Sequence, residues 1–305
     1  MEIRIATRKS ELALWQARHV ADKLGELSQV DKVSLVPLST RGDEVLDKSL
    51  QKIGGKGLFI KELEVAMQAG DADIAVHSMK DVPAEMPPGF CIAAVLERAS
   101  PADALVSADG TGIAGLPEKA VVGSSSLRRQ AQLLALRPDI TINPLRGNVV
   151  TRLGKLDGGD YQAIVLASAG LQRLGLESRI SQEFGPQDML PAAAQGVIGI
   201  ECVDEGAELR KLLAHLEHTD TKMTTSAERA VALTLGADCQ SPVAAFATIN
   251  DDVLTIDALV ASPDGREIIR EQSSGSVGDA AAIGTAVARQ LLERGARKLL
   301  GEKRL

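Results

Sequence analysis

Ala120-Val121-Val122-Gly123-Ser124-Ser125-Ser126-Leu127-Arg128-Arg129 decides the reading of the fold. A β-branched run gives way to a turn of three hydroxyls, and a helical pattern follows that continues to Leu136. Strand, polar turn and helix in that order make up the repeating unit of a parallel α/β sheet. The alternation extends outward in both directions. It predicts strands at 2–6, 32–38, 73–77, 120–123, 141–144, 162–166 and 197–201, with helices at 11–27, 58–69 and 127–136. Linker candidates are Glu97-Arg98-Ala99-Ser100-Pro101 and Gly185-Pro186-Gln187. Two α/β units joined by two crossings would put a cleft between them, and open α/β sheets bind ligands beyond the carboxyl ends of their strands.

The last third reads differently. Thr225-Ser226-Ala227-Glu228 has the form of a capping box opening a helix that Gly236 closes. Alternating runs at 243–249, 253–260 and 268–273 are separated by Asn250-Asp251-Asp252 and Ser262-Pro263-Asp264-Gly265. Turn clusters between such runs predict a three-stranded antiparallel sheet. A helix over 279–300 finishes this separate α+β domain. No internal repeat is visible in the sequence.

Composition narrows the function classes. The chain has 305 residues, enough for two or three domains. A net charge of −7 argues against a broad nucleic-acid surface, and 2% aromatics leave few stacking platforms for single strands. No apolar run reaches a membrane span, and Met1–Ala6 reads as a strand rather than a signal peptide, so a cytoplasmic protein is expected. Cys91, Cys202 and Cys239 form no CxxC pair, and three cysteines suit a reducing compartment without a disulfide framework.

The chemistry concentrates at predicted strand-to-helix turns: Thr7-Arg8-Lys9-Ser10, Lys52 to Gly57, Lys80-Asp81, Gly123 to Arg129, and Arg146-Gly147-Asn148 with Arg152. Such turns offer free backbone N–H groups, and arginines there add forked donors matched to carboxylates. A single such arginine can be a solvated surface charge, but five segments on one type of edge call for a ligand with several carboxylates. Gly54-Gly55-Lys56-Gly57 reads either as a plain flexible loop or as a lid laying Lys52 and Lys56 over an anion. Asp81, in His77-Ser78-Met79-Lys80-Asp81-Val82-Pro83, is either a turn former or a catalytic carboxylate. His77 ends an apolar strand and reads as structural, and no histidine–cysteine spacing suits a metal. Cys91 and Cys202 belong with apolar runs, whereas Cys239 lies in a helix-to-strand loop beside Asp238, which disfavours its thiolate. That suits a thiol alkylated once better than a cycling nucleophile.

Arg4 to Ser10 with Leu12-Ala13-Leu14-Trp15, Thr40-Arg41-Gly42-Asp43, Gly54 to Phe59, Ala75 to Pro83, Ser125 to Arg129, Leu145 to Val149 and Ala227 to Ala230 follow one another in the order of a known pattern. The chain resembles the porphobilinogen deaminase family over nearly its whole length. HSMKDVP together with SSLRR is the most specific part of the match.

The resemblance implies an α/β protein of two domains like type II periplasmic binding proteins flanking a cleft, plus a C-terminal α+β domain. Its boundaries would be 1–98 with 194–217, then 99–193, then 218–305. It implies four porphobilinogen molecules condensed head to tail, with loss of ammonia, on a dipyrromethane cofactor, then hydrolysis to hydroxymethylbilane. Asp81 corresponds to the catalytic aspartate and Cys239 to the cofactor-attachment cysteine. Arg8, Ser10, Lys52, Lys56, Lys80, Ser124, Ser125, Ser126, Arg128, Arg129, Arg146, Arg152, Arg173 and Gln195 correspond to cofactor and substrate contacts. The product would pass to uroporphyrinogen-III synthase, and a monomer is expected. Ser124 stands in place of a frequent threonine, Ala194 in place of a frequent glycine, and Ala237-Asp238 in place of Gly-Gly before the cysteine. An anion-binding module built like the periplasmic proteins would explain the arginines and the two α/β units, but not the cysteine loop.

Overall fold

The computed structural model describes residues 1–40 and 60–301. They fall into two compact units, Met1–Ala99 with Val197–Lys222 and Ser100–Gly196 with Met223–Leu305. The chain changes unit at 99/100, inside Glu97–Pro101, at 196/197 and again at 222/223. Gly185–Gln187 lies within the second unit, where Gly185 O accepts from Asp188 N and Met189 N.

The first unit carries a five-stranded sheet of β1 (Glu2–Arg8), β2 (Lys32–Leu38), β3 (Ile74–Ser78), β4 (Phe90–Val95) and β10 (Ile198–Val203), in the order β2-β1-β3-β10-β4. β1 runs parallel to β2 and β3, while β10 runs antiparallel to β3 and β4. Successive strand residues serve two cores, as a sheet covered on both faces requires. Ile3, Ile5, Ile74 and Val76 pack with Ala17, Val20 and Leu24 of the helix Glu11–Gly25. Ala6 and Ala75 pack with Leu63, Ala66 and Met67 of the helix Lys61–Gln68.

The second unit repeats that plan with β5 (Asp103–Ser107), β6 (Val121–Gly123), β7 (Thr141–Asn143), β8 (Ala163–Ala167) and β9 (Gln182–Glu183), ordered β7-β6-β8-β5-β9. β6 is parallel to β7 and β8, and β5 is antiparallel to β8 and β9. In each sheet the antiparallel strand follows directly on a change of unit, β5 after 99/100 and β10 after 196/197. The repeat is therefore one of topology, with no counterpart in the sequence.

β11 (Val243–Asn250), β12 (Val253–Ala261) and β13 (Ile268–Ser276) form the expected antiparallel sheet. Leu254, Ile256 and Val260 pack with Val231 and Leu235 of the helix Thr219–Leu235 and with Val287 and Leu291 of the helix Ala280–Glu293. The hairpin of β12 and β13 sits against the helix Leu127–Leu136: a Cβ on Gly265 would lie 2.3 Å from Ala131 O. Two expectations are corrected here. The capping box does not open a helix, because the helix already runs from Thr219 and Glu228 faces elsewhere. The single helix over 279–300 is two, Ala280–Glu293 and Ala296–Leu299, broken where Gly295 takes a left-handed φ of 99°.

Candidate active site

In the first unit the chemistry gathers at the carboxyl ends of parallel strands β1 and β3. Thr7, next to last in β1, is fully buried, its Oγ1 donating to Ala13 O at 3.1 Å. Half-buried Arg8 follows, and then Ser10, whose Oγ caps the helix Glu11–Gly25 by accepting from Ala13 N. Ser78 Oγ accepts from Gln16 Nε2 of that helix at 2.8 Å, tying the end of β3 to it.

Three contacts to β10 hold the turn after β3. His77 Nε2 lies 2.7 Å from Glu201 Oε2, both side chains buried. Met79 N donates to Val197 O at 2.9 Å. The Met79 side chain fills the space over Gly199, where an added Cβ would meet its sulfur at 2.1 Å. The clamped turn Met79–Asp81 is a single 3-10 turn closed by Val82 N on Met79 O. It leaves Lys80 half-buried and Asp81 exposed.

In the second unit the parallel strands β6, β7 and β8 end in the corresponding turns. Ser126 caps the helix Leu127–Leu136, its Oγ accepting from Arg129 N. Ser124 Oγ accepts from Ser126 N, and Ser125 Oγ both donates to Leu145 O and accepts from Leu145 N. The serine run therefore shapes its own turn and ties it to the one after β7. There Asn148 Oδ1 caps the helix Val149–Asp157, and Arg152 Nε donates to Gly147 O at 2.8 Å. Arg146 and Arg152 are half-buried.

Arg128 and Arg129 are 4% and 7% exposed, and both grip the fully buried Asp103. Arg128 Nη1 donates to Asp103 Oδ2 at 2.6 Å and to Leu190 O, while Arg129 Nε donates to Asp103 Oδ1 at 2.9 Å and Nη1 to Val165 O. Gln195, also fully buried, donates from Nε2 to Asp103 Oδ1 and Pro101 O. Arg173 Nη2 donates to Gly196 O at 2.7 Å, and burial pushes its guanidinium down to about 10, still cationic near neutrality.

The sequence reading missed three of these residues. Asp103 and Glu201 are lone acids at the start of, or within, apolar strand runs, a pattern that calls for a buried partner. Glu228, read as a cap, instead accepts from Ala194 N at 2.6 Å and Ala247 N at 2.8 Å. It thereby fixes the backbone next to Gln195.

Ala194 holds a φ of 58°, which glycine adopts freely and an L side chain resists. Ala194→Gly is expected to raise unfolding stability by about 1 kcal/mol, read as a higher urea midpoint at unchanged m-value.

Cys239 lies between the helix Thr219–Leu235 and β11, and it is exposed. Asp238 Oδ1 accepts from Gln240 N at 3.0 Å and from Ser241 Oγ at 2.9 Å, an aspartate-centred turn with the thiol at its apex. Lys52 and Lys56, with the rest of 41–59, lie outside the described residues. Among the described residues no group of three or more histidine, cysteine or acidic side chains could hold a metal.

Carboxyl-edge turns rich in cations and hydroxyls, with an acid on one of them, mark an α/β protein suited to anionic ligands. The comparisons with known proteins narrow that class. The family described as "Porphobilinogen deaminase, dipyromethane cofactor binding domain" matches residues 3–211, and "Porphobilinogen deaminase, C-terminal domain" matches 222–293. Porphobilinogen deaminase of Chromobacterium violaceum is 52% identical over 299 residues, 98% of this chain and 97% of that one. That of Bordetella parapertussis is 53% identical over 298 residues, 98% and 95% of the two chains. Among solved structures, the periplasmic VFT2 domain of Bordetella pertussis BvgS aligns with a TM-score of 0.42 at 14% identity, over 70% of this chain and 85% of that one.

The chain belongs to the porphobilinogen deaminase family. It is a transferase of tetrapyrrole biosynthesis that condenses four porphobilinogen molecules stepwise on a covalent dipyrromethane cofactor, releasing ammonia and then hydroxymethylbilane.

Proposed function

We propose that Asp81 is the catalytic carboxylate of this reaction and Cys239 the residue that holds the dipyrromethane through a thioether. The remaining expected contacts, Arg8, Ser10, Lys52, Lys56, Lys80, Ser124, Ser125, Ser126, Arg128, Arg129, Arg146, Arg152, Arg173 and Gln195, bind pyrrole carboxylates. One observation supports this reading: in both units the turns after the parallel strands carry cations and hydroxyls, Arg8, Ser10 and Lys80 in the first and Ser124, Ser125, Ser126, Arg146 and Arg152 in the second, and Asp81 stands exposed on a turn clamped from the β10 side.

Each pyrrole brings an acetate and a propionate, so negative charge grows with the chain and the guanidinium groups offset it. Porphobilinogen loses ammonia to leave an azafulvene, cationic when protonated, and a fixed carboxylate at Asp81 stabilises that developing charge. The same carboxylate can pass a proton to the departing amine and take one from the attacked carbon. When bound, the dipyrromethane would supply the nucleophilic terminal pyrrole carbon and a primer that is retained.

Three domains, 1–98 with 194–217, 99–193 and 218–305, describe the division of labour, each built around its own sheet, although Ala131 and Leu190 share a small core with Ala244, Leu259 and Ala261. A monomer in the cytoplasm, its product consumed by uroporphyrinogen-III synthase, completes the proposal.

The arginines are expected to act at different stages. Arg129→Gln should impair loading of the cofactor, because it disturbs the buried Asp103 pair, whereas Arg8→Gln should stall extension of loaded enzyme. Mass spectra after limiting porphobilinogen resolve species by bound pyrroles. Species distributions in both variants identical to the unsubstituted enzyme would overturn the staged assignment.

A further inference from the structure

Cys91 and Cys202 have no part in the pyrrole chemistry, yet they face each other. They are direct register partners on antiparallel β4 and β10, with sulfurs 3.8 Å apart. Directly opposed residues of such a pair have Cα separations of about 4.5–5.5 Å, inside the roughly 4.4–6.8 Å span of disulfides. A disulfide bond of about 2.05 Å would bring the two sulfurs closer than their present 3.8 Å. Cys202 is buried in the core, whereas Cys91 is partly exposed and open to a reagent.

We infer that Cys91 and Cys202 form a dithiol site that closes to an intramolecular disulfide by exchange with a small-molecule disulfide. The Cys91 thiolate attacks one sulfur of oxidised glutathione, expelling the first glutathione as its thiolate and leaving a mixed disulfide. The Cys202 thiolate then attacks the Cys91 sulfur and expels the second. Two protein thiols are oxidised, one disulfide is reduced to two thiols, and the two cysteine protons end on the released glutathiones or in solvent.

The groups around the pair set its pace. Burial pushes the Cys91 thiol up and the Cys202 thiol up to about 12. Asp204 beside Cys91 and Glu201 beside Cys202 add to this, while Arg210, paired with Asp204 at 2.8 Å, opposes it. Closure is therefore slow at neutral pH and faster in mild alkali. The disulfide would join positions 111 residues apart, enclosing all of 100–196 in one covalent loop.

The test incubates the enzyme as purified with oxidised glutathione at about pH 8.5, where thiolate is more plentiful, then maps peptides without reduction. The expected result is the loss of two hydrogens and a Cys91–Cys202 linked peptide. Cys202→Ala should instead keep one glutathione on Cys91, and Cys91→Ser should yield neither product. Glutathione retained on Cys91 of the unsubstituted enzyme, a link from either residue to Cys239, or two unmodified thiols would each overturn the inference. The mapping of the unsubstituted enzyme decides the matter even if a variant fails to fold. It does not depend on the role of Cys239.

Discussion

Protein carrying Cys239→Ala is expected to lack the mass of two condensed pyrroles and to show no measurable turnover, while Cys91→Ala and Cys202→Ala keep both. The turn explains the contrast. Asp238 Oδ1 holds Gln240 N and Ser241 Oγ, which leaves Cys239 outside the core and exposed. Removing its sulfur gives up a 3.9 Å contact from Gln240 Nε2 but opens no cavity in a core, so the Ala variant should fold and the loss should be chemical. Cys202 lies in the core of the first unit and Cys91 packs against it, so removing a sulfur there opens a small cavity. Their replacement is expected to cost stability, about 1 kcal/mol per missing methyl-sized group, but no adduct. Intact-mass spectra of denatured protein, with peptide mapping, separate the two effects. Fully active enzyme with unmodified Cys239 would remove that residue from its proposed role.

How far the sequence carries depends on whether an interaction is local. Strands buried on both faces leave apolar runs, and a hydroxyl or amide cap marks where each following helix begins. The strand at Lys32–Leu38 and the helix at Leu127–Leu136 matched residue for residue, whereas Ser10, Ser126 and Asn148, read as parts of anion-binding turns, prove to be helix caps, and the helix after Asn148 was not foreseen. β4 and β5 escaped notice because neither opens a strand–turn–helix unit, so the mixed character of both sheets was hidden. Asp103 escaped for a different reason. Its partners Arg128 and Arg129 lie 25 and 26 residues away, and only the folded sheet brings them together. The arginines themselves were visible as chemistry, but the acid that orients them was not. Cys239 and Asp81 drew notice from their loops, yet their roles rested on the family resemblance. Turn geometry alone does not distinguish an attachment site from an ordinary surface residue.

Asp81→Asn is expected to retain the fold and lose ~10²–10³ in kcat, about 3–4 kcal/mol of barrier, with a smaller change in KM. The fold should survive because the turn does not depend on the carboxylate. Met79 N on Val197 O, the Met79 side chain over Gly199 and the His77–Glu201 pair hold it from the β10 side, while Asp81 itself is exposed. An amide keeps the size and reach of the side chain but carries no charge. Charge matters most as ammonia leaves and the azafulvenium develops, so the loss falls on the transition state more than on binding. Asp81→Glu restores the charge at a displaced position and should retain more turnover than Asn. A residue that merely formed the turn would give the opposite ranking, since Asn is a good turn residue and Glu a poor one. Steady-state ammonia release by the three proteins therefore separates the two roles, with thermal unfolding run alongside to show that all three are folded. Near-complete turnover in the Asn protein would leave Asp81 as a turn former and require the charge stabilisation to come from another group.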